Sequence, residues 1–311
     1  MINFRYHVVS LTAVFLALAI GLVVGTAALN GPVADSLRDT VNALRKDNQQ
    51  LRDQVSSLKE EVNREEDFVI EAAPRLLANA LAGRRILVLT LPSGRDHGED
   101  VIERLRMAGA SVTGRIDFQD KFVEPDSNND LMSIAESAAR PTIPTDGLPG
   151  NSIGVETSSA LLAIALLDRS EGTAVSEADR EAVLDAYVDA GYLSVVDDKI
   201  SGPAEAVVVV SGPSYIDREA AAKDAAVVTM VSQFRKVVPL AVAGNGSGDG
   251  NLVSAVRGDP ALSKAVSTVD NANTPMGQVA VALAIAELIG AKKVGHYGLG
   301  DGATALLPPL E

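Results

Sequence analysis

An uninterrupted apolar run near the amino terminus constrains this chain more than any other feature. Residues 8–29 carry no formal charge, and a run of that length matches the ~30 Å hydrocarbon core of a bilayer. Arg5 and His7 precede the run, and Asp35 is the first charged residue after it. Because positive charge favours the cytoplasmic side, the pattern predicts a single-pass protein of the cell membrane, with a cytoplasmic amino terminus and an extracytoplasmic remainder.

Two other interpretations of the run are open. A cleaved signal peptide would place the small residues Thr26 and Ala28 ahead of the cut, but the run exceeds the ~7–15 apolar residues typical of such leaders. A buried core helix is disfavoured by the length and by the missing polar face. Ala17, Gly21 and Gly25 recur every four residues, a spacing that lets two membrane helices pack closely and favours dimerisation.

A heptad pattern begins after residues 30–32, Asn-Gly-Pro, interrupt the apolar run. Valine predominates at position a, leucine fills position d, and a single asparagine occupies one a position. The a series is Ala34, Val41, Asn48, Val55 and Val62, and the d series is Leu37, Leu44, Leu51 and Leu58. Valine at a with leucine at d favours a parallel pair of helices, and a single asparagine at a fixes the register of that pair. The sequence therefore predicts a parallel coiled coil.

The residues at positions e and g do not determine which helix pairs with the coil. The four e positions are all basic: Arg38, Arg45, Arg52 and Lys59. In a parallel homodimer Asp47 would face Arg52 of the second copy, whereas Glu61 would meet Glu66. The coil therefore pairs either with a second copy or with another protein's coil. An amphipathic helix lying on its own globular domain is the remaining alternative.

The pattern divides the chain into three parts. The coil is predicted to end near residues 65–67, followed by a connecting helix at 68–82 in which Pro74 marks a kink or a boundary. The predicted parts are a cytoplasmic tip with the transmembrane helix at 1–30, the coil and connecting helix at 33–82, and an extracytoplasmic α/β domain at 84–311.

Apolar runs and amphipathic segments alternate in the carboxy-terminal part. Repeated βα units predict a doubly wound, mostly parallel sheet with helices on both faces. The predicted strands are residues 86–91, 111–116, 193–196, 206–210 and 237–243. The predicted helices are residues 99–108, 130–139, 155–168, 177–190, 218–235 and 275–289. Thr274 is the expected N-cap of the last helix, with Pro275 at its first position, and residues 141–154 are expected to form a long loop.

The sequence supplies no catalytic motif. The 311 residues include no cysteine, three histidines and five methionines, a poor ligand set for transition metals. A net charge of −14 disfavours nucleic acid as a partner. His97, among acidic neighbours, is a weak candidate for a base or ligand, and the glycine-rich loop at 244–250 lacks the Lys-Ser/Thr of a phosphate-binding loop. We therefore predict a protein that is not an enzyme and binds no cofactor.

The opening residues 1–11, MINFRYHVVSL, continue through 13–21, AVFLALAIG, and residues 274–277 read TPMG. This pattern resembles the actinobacterial MctB family, whose corynebacterial members are called SteB. The resemblance implies one of two functions. One is copper transport across the outer envelope, with an outer-membrane location. The other is activation of a RipA-type peptidoglycan hydrolase in cell division, together with a SteA-like membrane protein, through coiled-coil contact.

The residues favour the second function. A channel requires a helix bundle or a closed barrel, and the sequence contains one hydrophobic run of spanning length. Copper handling requires clustered Met, Cys or His, and these residues are absent or scattered. We therefore expect a homodimeric membrane adaptor of the cell envelope. Copper efflux is the first alternative, and a small ligand or reaction at the crevice of the sheet is the second.

Overall fold

The computed structural model describes residues 4–29, 31–145, 148–151, 153–169, 174–196 and 199–309. The chain forms two compact units, Met1–Glu65 and Glu66–Glu311. Residues 1–3 of the opening motif, Asn30 of the predicted interruption, and residues 146, 147 and 152 of the predicted loop lie outside the described residues.

The first unit is helical. Helix α1 comprises Phe4–Leu29 and helix α2 comprises Pro32–Leu76, which continues into the second unit. Pro32 is tolerated at the start of α2 because the first N–H groups of a helix have no intrahelical acceptor. The predicted end of the connecting helix at residue 82 is wrong, whereas the predicted end of the coil near residues 65–67 stays a prediction. The helix is continuous to Leu76 with Pro74 inside its last turn, and residues 77–83 form turns.

The second unit contains a seven-stranded sheet in the order β3-β2-β1-β4-β5-β6-β7. All neighbouring strands are parallel except β3, which pairs antiparallel with β2. The strands are β1 Arg85–Thr90, β2 Ser111–Phe118, β3 Leu193–Val196, β4 Ala206–Val210, β5 Leu240–Ala243, β6 Val266–Val269 and β7 His296–Tyr297. The chain reverses its direction of winding between β1 and β4, which makes their carboxyl ends the topological switch point.

Helices cover both faces of the sheet, and alternate strand residues therefore enter two separate hydrophobic clusters. Leu87 and Val207 face the helices α4, α5, α6, α7 and α8, whereas Ile86 and Val208 face α3, α9 and the end of α2. The helices are α3 Arg95–Met107, α4 Asn128–Ala138, α5 Gly154–Leu166, α6 Glu177–Asp189, α7 Ala220–Val237, α8 Leu252–Gly258 and α9 Pro275–Gly290.

The predicted fold class is confirmed, with errors in particular elements. Strands β3 and β4 have the predicted bounds, whereas α3 begins at Arg95 rather than at residue 99, and β5 begins at Leu240 rather than at residue 237. Strand β6, strand β7 and helix α8 were not predicted. Ser267 and Thr268 of β6 are fully buried, so this strand lacks the continuous apolar run by which buried strands are recognised.

Candidate interaction surface

Helix α1 has the length and composition of a membrane span. Its residues Phe4–Ala27 have a mean hydropathy of 2.6, and none of that segment is buried. Thr12 and Thr26 donate their hydroxyls to the carbonyls of Val8 and Leu22, at 2.8 and 2.9 Å. This bonding satisfies polar groups within the helix, as a lipid environment requires.

The small residues predicted to pack in the membrane lie on this helix. A Cβ atom built on Gly21 or Gly25 meets no atom within 4 Å. Ala17 lies one turn before Gly21 in the same exposed helix. Close approach of another helix along these positions stays a prediction.

Helix α2 carries an exposed apolar surface, which we call the heptad stripe. It consists of the a and d residues Leu37, Val41, Leu44, Asn48, Leu51, Val55, Leu58 and Val62. The apolar members are between 43% and 62% exposed. A helix in water does not normally leave seven large apolar side chains uncovered along one face. The stripe therefore has the features of a surface that another helix covers.

One side of the heptad stripe is lined by a basic edge, formed by Arg38, Arg45, Arg52 and Lys59. Arg38 contacts Asp35 at 3.3 Å, and both side chains are largely exposed, so this pair contributes little to stability. The other salt bridges of the described residues all lie at position 84 or beyond. The rest of the basic edge therefore has no salt-bridge partner among the residues that the structure describes.

The switch point of the sheet, where doubly wound folds usually bind ligands, is closed. The Oγ of Ser93, after β1, accepts a hydrogen bond from the backbone N–H of Gly212, after β4, at 3.0 Å. A Cβ on Gly212 would lie 1.9 Å from the carbonyl oxygen of Ser93, and one on Gly94 would lie 2.5 Å from that of Val210. The remaining cavity measures about 20 Å³, room for about one water molecule.

Tyr215, which lines this cavity, lies near several charged groups. Lys223 donates to Asp217 at 2.8 Å, and this hydrogen bond lowers the pKa of Asp217. Burial, followed by the nearby carboxylates of Asp120 and Asp224, raises the pKa of Tyr215 to about 12. The tyrosine is therefore protonated at neutral pH and is not poised to act as a base.

The glycine-rich loop at 244–250 contacts other parts of the fold. The Ser247 Oγ accepts from the backbone N–H of Asp301 at 3.0 Å, and the N–H of Gly246 is bonded to the carbonyl of Asp270. Nearby N–H groups of Leu299 and Gly300 donate to the carboxylate of Asp270, at 2.7 and 3.0 Å. Donors that could hold an external anion thus bind a carboxylate of the protein itself.

The histidines of the second unit lie apart. His97 lies in the first turn of α3, ahead of the predicted helix start at residue 99, and His296 begins β7. The ring of His296 bonds to Thr268 through Nδ1 at 2.9 Å and to the Ser263 carbonyl through Nε2 at 3.0 Å. Within the described ranges, no three His, Cys, Asp or Glu side chains are grouped as a metal site would require.

These features define a class of protein: an α/β domain that follows a candidate membrane span and a long helix with an uncovered heptad stripe. Comparison with known families agrees with the resemblance found in the opening residues. Residues 1–308 match the family described as "Copper transport outer membrane protein, MctB". The chain belongs to this family.

Curated relatives align over almost their whole length. A protein of Mycobacterium tuberculosis (strain ATCC 25618 / H37Rv) named "Copper transporter MctB" is 32% identical over 320 residues, covering 98% of this chain and 99% of the relative. A protein of Mycobacterium leprae (strain TN) with the same name is 29% identical over 327 residues, covering 99% of this chain and 100% of the relative.

The contacts that close the carboxyl edge of the sheet were not predicted from the sequence. Ser93 and Gly212 are separated by 119 positions, and no local pattern links them. Asp270 directly follows β6, a strand that the sequence did not predict. Had strand β6 been recognised, the acidic residue directly after it would have indicated a polar group at the carboxyl edge of the sheet.

Proposed function

We propose that this chain takes part in copper transport in the cell envelope. The observation that carries the proposal is the full-length similarity to mycobacterial proteins named copper transporters. The copper ion is the cargo in this proposal. Of the two functions implied by the resemblance, the comparisons favour copper transport over the adaptor.

The proposed contribution of the chain is assembly with other polypeptides. Backbone groups in lipid must be satisfied within helices or closed barrels, so a transmembrane path for an ion needs several helices or a barrel. Helix α1 is the one candidate span among the described residues. We therefore propose that copper passes through an assembly that α1 and the heptad stripe help to form, with further copies or with partner proteins.

A deletion strain tests this function directly. We expect loss of the gene to raise the copper content of the cells and to lower the copper concentration that stops growth. The wild-type gene should restore both values. Unchanged copper content and tolerance in the deletion strain would refute the proposal.

The heptad stripe favours a second candidate function. In this proposal the chain is an adaptor that joins a SteA-like membrane protein to a RipA-type peptidoglycan hydrolase and activates the hydrolase in cell division. The support is a long apolar stripe with the Val/Leu division of a parallel coiled coil. Self-pairing of the chain through α1 belongs to the same proposal.

One pair of variants separates this candidate from the first. Leu44→Asp with Leu51→Asp places two charges in the stripe, and the adaptor predicts chains of unseparated cells. The control, Ala43→Asp with Gln50→Asp, adds the same charges at two c positions of the same helix. Normal septation with the stripe variant, at normal protein level, would exclude the adaptor. Copper content measured in the same strains shows which process requires the stripe.

We also propose that the chain performs no catalysis, since the switch point of its sheet is closed by backbone contacts. The α/β unit would lie outside the cytoplasm. The absence of cysteine from the sequence gives a clean test, because Ser57→Cys introduces a single thiol. A membrane-impermeant maleimide should label that thiol in intact cells. Labelling only after lysis would place the helix in the cytoplasm.

A further inference from the structure

The two sides of the heptad stripe differ in charge. The e side carries the four cations of the basic edge, whereas the g side carries Thr40, Asp47, Gln54 and Glu61. In a parallel coiled coil each e residue faces a g residue of the other helix, and these contacts set the choice of partner. The charges of the two sides therefore indicate which helix the stripe fits.

A second copy of the chain would leave most of these cations without an acidic partner. In a parallel pair of identical helices, Arg45 would face Thr40, Lys59 would face Gln54, and only Arg52 would face an acid, Asp47. No helical segment of the described chain covers the stripe, since its apolar members are all exposed. A helix with acidic residues at the facing positions would instead pair with each of the four cations.

An anionic membrane surface fits less well than a helix. The segment 34–65 contains six Lys or Arg and seven Asp or Glu, so it has no net attraction for anionic lipid. Asn48 lies in the centre of the apolar face, where a helix embedded in lipid would bury an unpaired amide. A facing asparagine in a coiled coil satisfies that amide and fixes the register.

We propose that the occupant of the heptad stripe is an amphipathic helix of another protein, with Glu or Asp along the side that faces Arg38, Arg45, Arg52 and Lys59. This inference rests on the proposed function, in which the stripe is an assembly surface, and it states the chemistry of the partner. Each exposed ion pair changes affinity by about twofold. Four such pairs are therefore expected to give a preference of about tenfold or more for an acidic helix over a basic one.

Two synthetic helices test the proposal against the full-length chain in nanodiscs of neutral lipid. Both peptides have Val or Leu at positions a and d, Asn opposite Asn48 and Gln at every e position. One has Glu at every g position, which faces the basic edge in a parallel pair, and the other has Lys there. At about 0.1 M salt, where charges within ~10 Å still interact, we expect the Glu peptide to bind at least about tenfold more tightly. The difference should shrink as salt is added.

Two variants identify the source of the preference. Arg45→Glu with Arg52→Glu and Lys59→Glu should reverse it, whereas Lys46→Glu with Arg64→Glu, at the outer f and c positions, should leave its direction unchanged. Equal binding of both peptides would overturn the proposal. So would self-association at protein concentrations below those at which the Glu peptide binds, detected by disulfide linkage of a Leu51→Cys variant. Tighter binding of the chain to anionic vesicles than to the Glu peptide would also overturn it.

The same variants distinguish failure of this inference from failure of the proposed function. If Leu44→Asp with Leu51→Asp impairs copper tolerance or septation but the Glu peptide shows no preference, the function stands and the acidic partner is wrong. If the peptide preference is present but neither process depends on the stripe, the chemistry of the surface stands and the proposed function is wrong.

Discussion

Arg257 of α8 donates from Nη1 to the Oδ2 of Asp270 at 2.8 Å, with the two side chains only 6% and 2% exposed. The same guanidinium reaches the carbonyl oxygens of Tyr297 and Asp301, each at 2.8 Å. This pair therefore joins α8, the end of β6 and the turn after β7. Because both charges are withdrawn from water, removing either one leaves the other uncompensated.

We expect Asp270→Asn to lower the free energy of unfolding by about 3–5 kcal/mol, the usual cost of breaking a buried ion pair from one side. Asp168→Asn is the matched control. Asp168 contacts Arg85 at 2.6 Å, but the two side chains are 48% and 40% exposed, so a loss of at most about 1 kcal/mol is expected. Chemical denaturation of the full chain, followed by circular dichroism, measures both. Equal losses of stability in the two variants would show that the buried pair of Arg257 and Asp270 contributes no more than an exposed ion pair.

Elements with strong local signals were predictable from sequence. The uniform apolar run of β4 and the capping residues of α9 were located correctly, and Thr274 accepts a hydrogen bond from the N–H of Gly277 at 3.2 Å. Strands β6 and β7 were missed because one is half polar and the other has two residues. Their pairing depends on neighbours distant in the chain, which a local pattern does not contain.

The candidate surface was more predictable than the interior of the α/β unit. The heptad stripe follows from a seven-residue spacing, which a single helix converts into one face. The closed switch point depends on contacts between backbone segments that are far apart in sequence, such as Ser93 with Gly212. The sequence could therefore indicate a possible crevice but not whether the loops would fill it.

Gly212→Ala should destabilise the α/β unit by about 2–3 kcal/mol or more, because the added Cβ would lie 1.9 Å from the Ser93 carbonyl oxygen. Gly290→Ala is the control substitution. It adds the same methyl group at the last residue of α9, where no atom lies within 4 Å, and should be neutral or stabilise by up to about 1 kcal/mol. Thermal unfolding of the two variants measures the difference. A tolerated Gly212→Ala would mean that the loops separate readily and that the crevice can open.

The stability of the α/β unit should fall as the pH drops below about 6.5. Burial is the main cause that lowers the pKa of His296, and Arg257 adds to it, against an opposing hydrogen bond to Ser263. The folded protein therefore prefers the neutral ring, and the unfolded chain takes up the proton first, at its usual value of 6.5. We expect the melting temperature to decline between pH 7 and pH 5. His296→Gln should show a smaller decline over this window. An identical decline in the variant would assign the effect to other groups.

Thr274→Ala should cost the α/β unit about 1–2 kcal/mol, since the hydroxyl accepts from the Gly277 N–H and donates to the Asn271 carbonyl at 2.9 Å. Thr274→Ser retains both hydrogen bonds and should recover most of the loss. Urea unfolding compares the two variants. If serine fails to restore stability, the methyl group of the threonine, rather than its hydroxyl, is what the fold requires.

Asn48→Val should increase the affinity of the heptad stripe for a partner helix and should allow the two helices to pair in more than one register. Asn48 is the one polar residue at the a and d positions of residues 34–62, and burying an unpaired amide costs about 1–3 kcal/mol. Toward a second version of the Glu peptide, which has valine in place of its asparagine, we therefore expect about tenfold tighter binding. Asn42→Val makes the same exchange at position b, on the outer face of α2, and should leave the affinity unchanged. Fluorescence anisotropy measures the affinity for this valine version. Disulfide mapping, with single cysteines on the chain and on the original Glu peptide, measures the register, because its asparagine faces position 48. Tighter binding of Asn42→Val as well, or one unchanged register with Asn48→Val, would show that position 48 does not lie at the pairing interface.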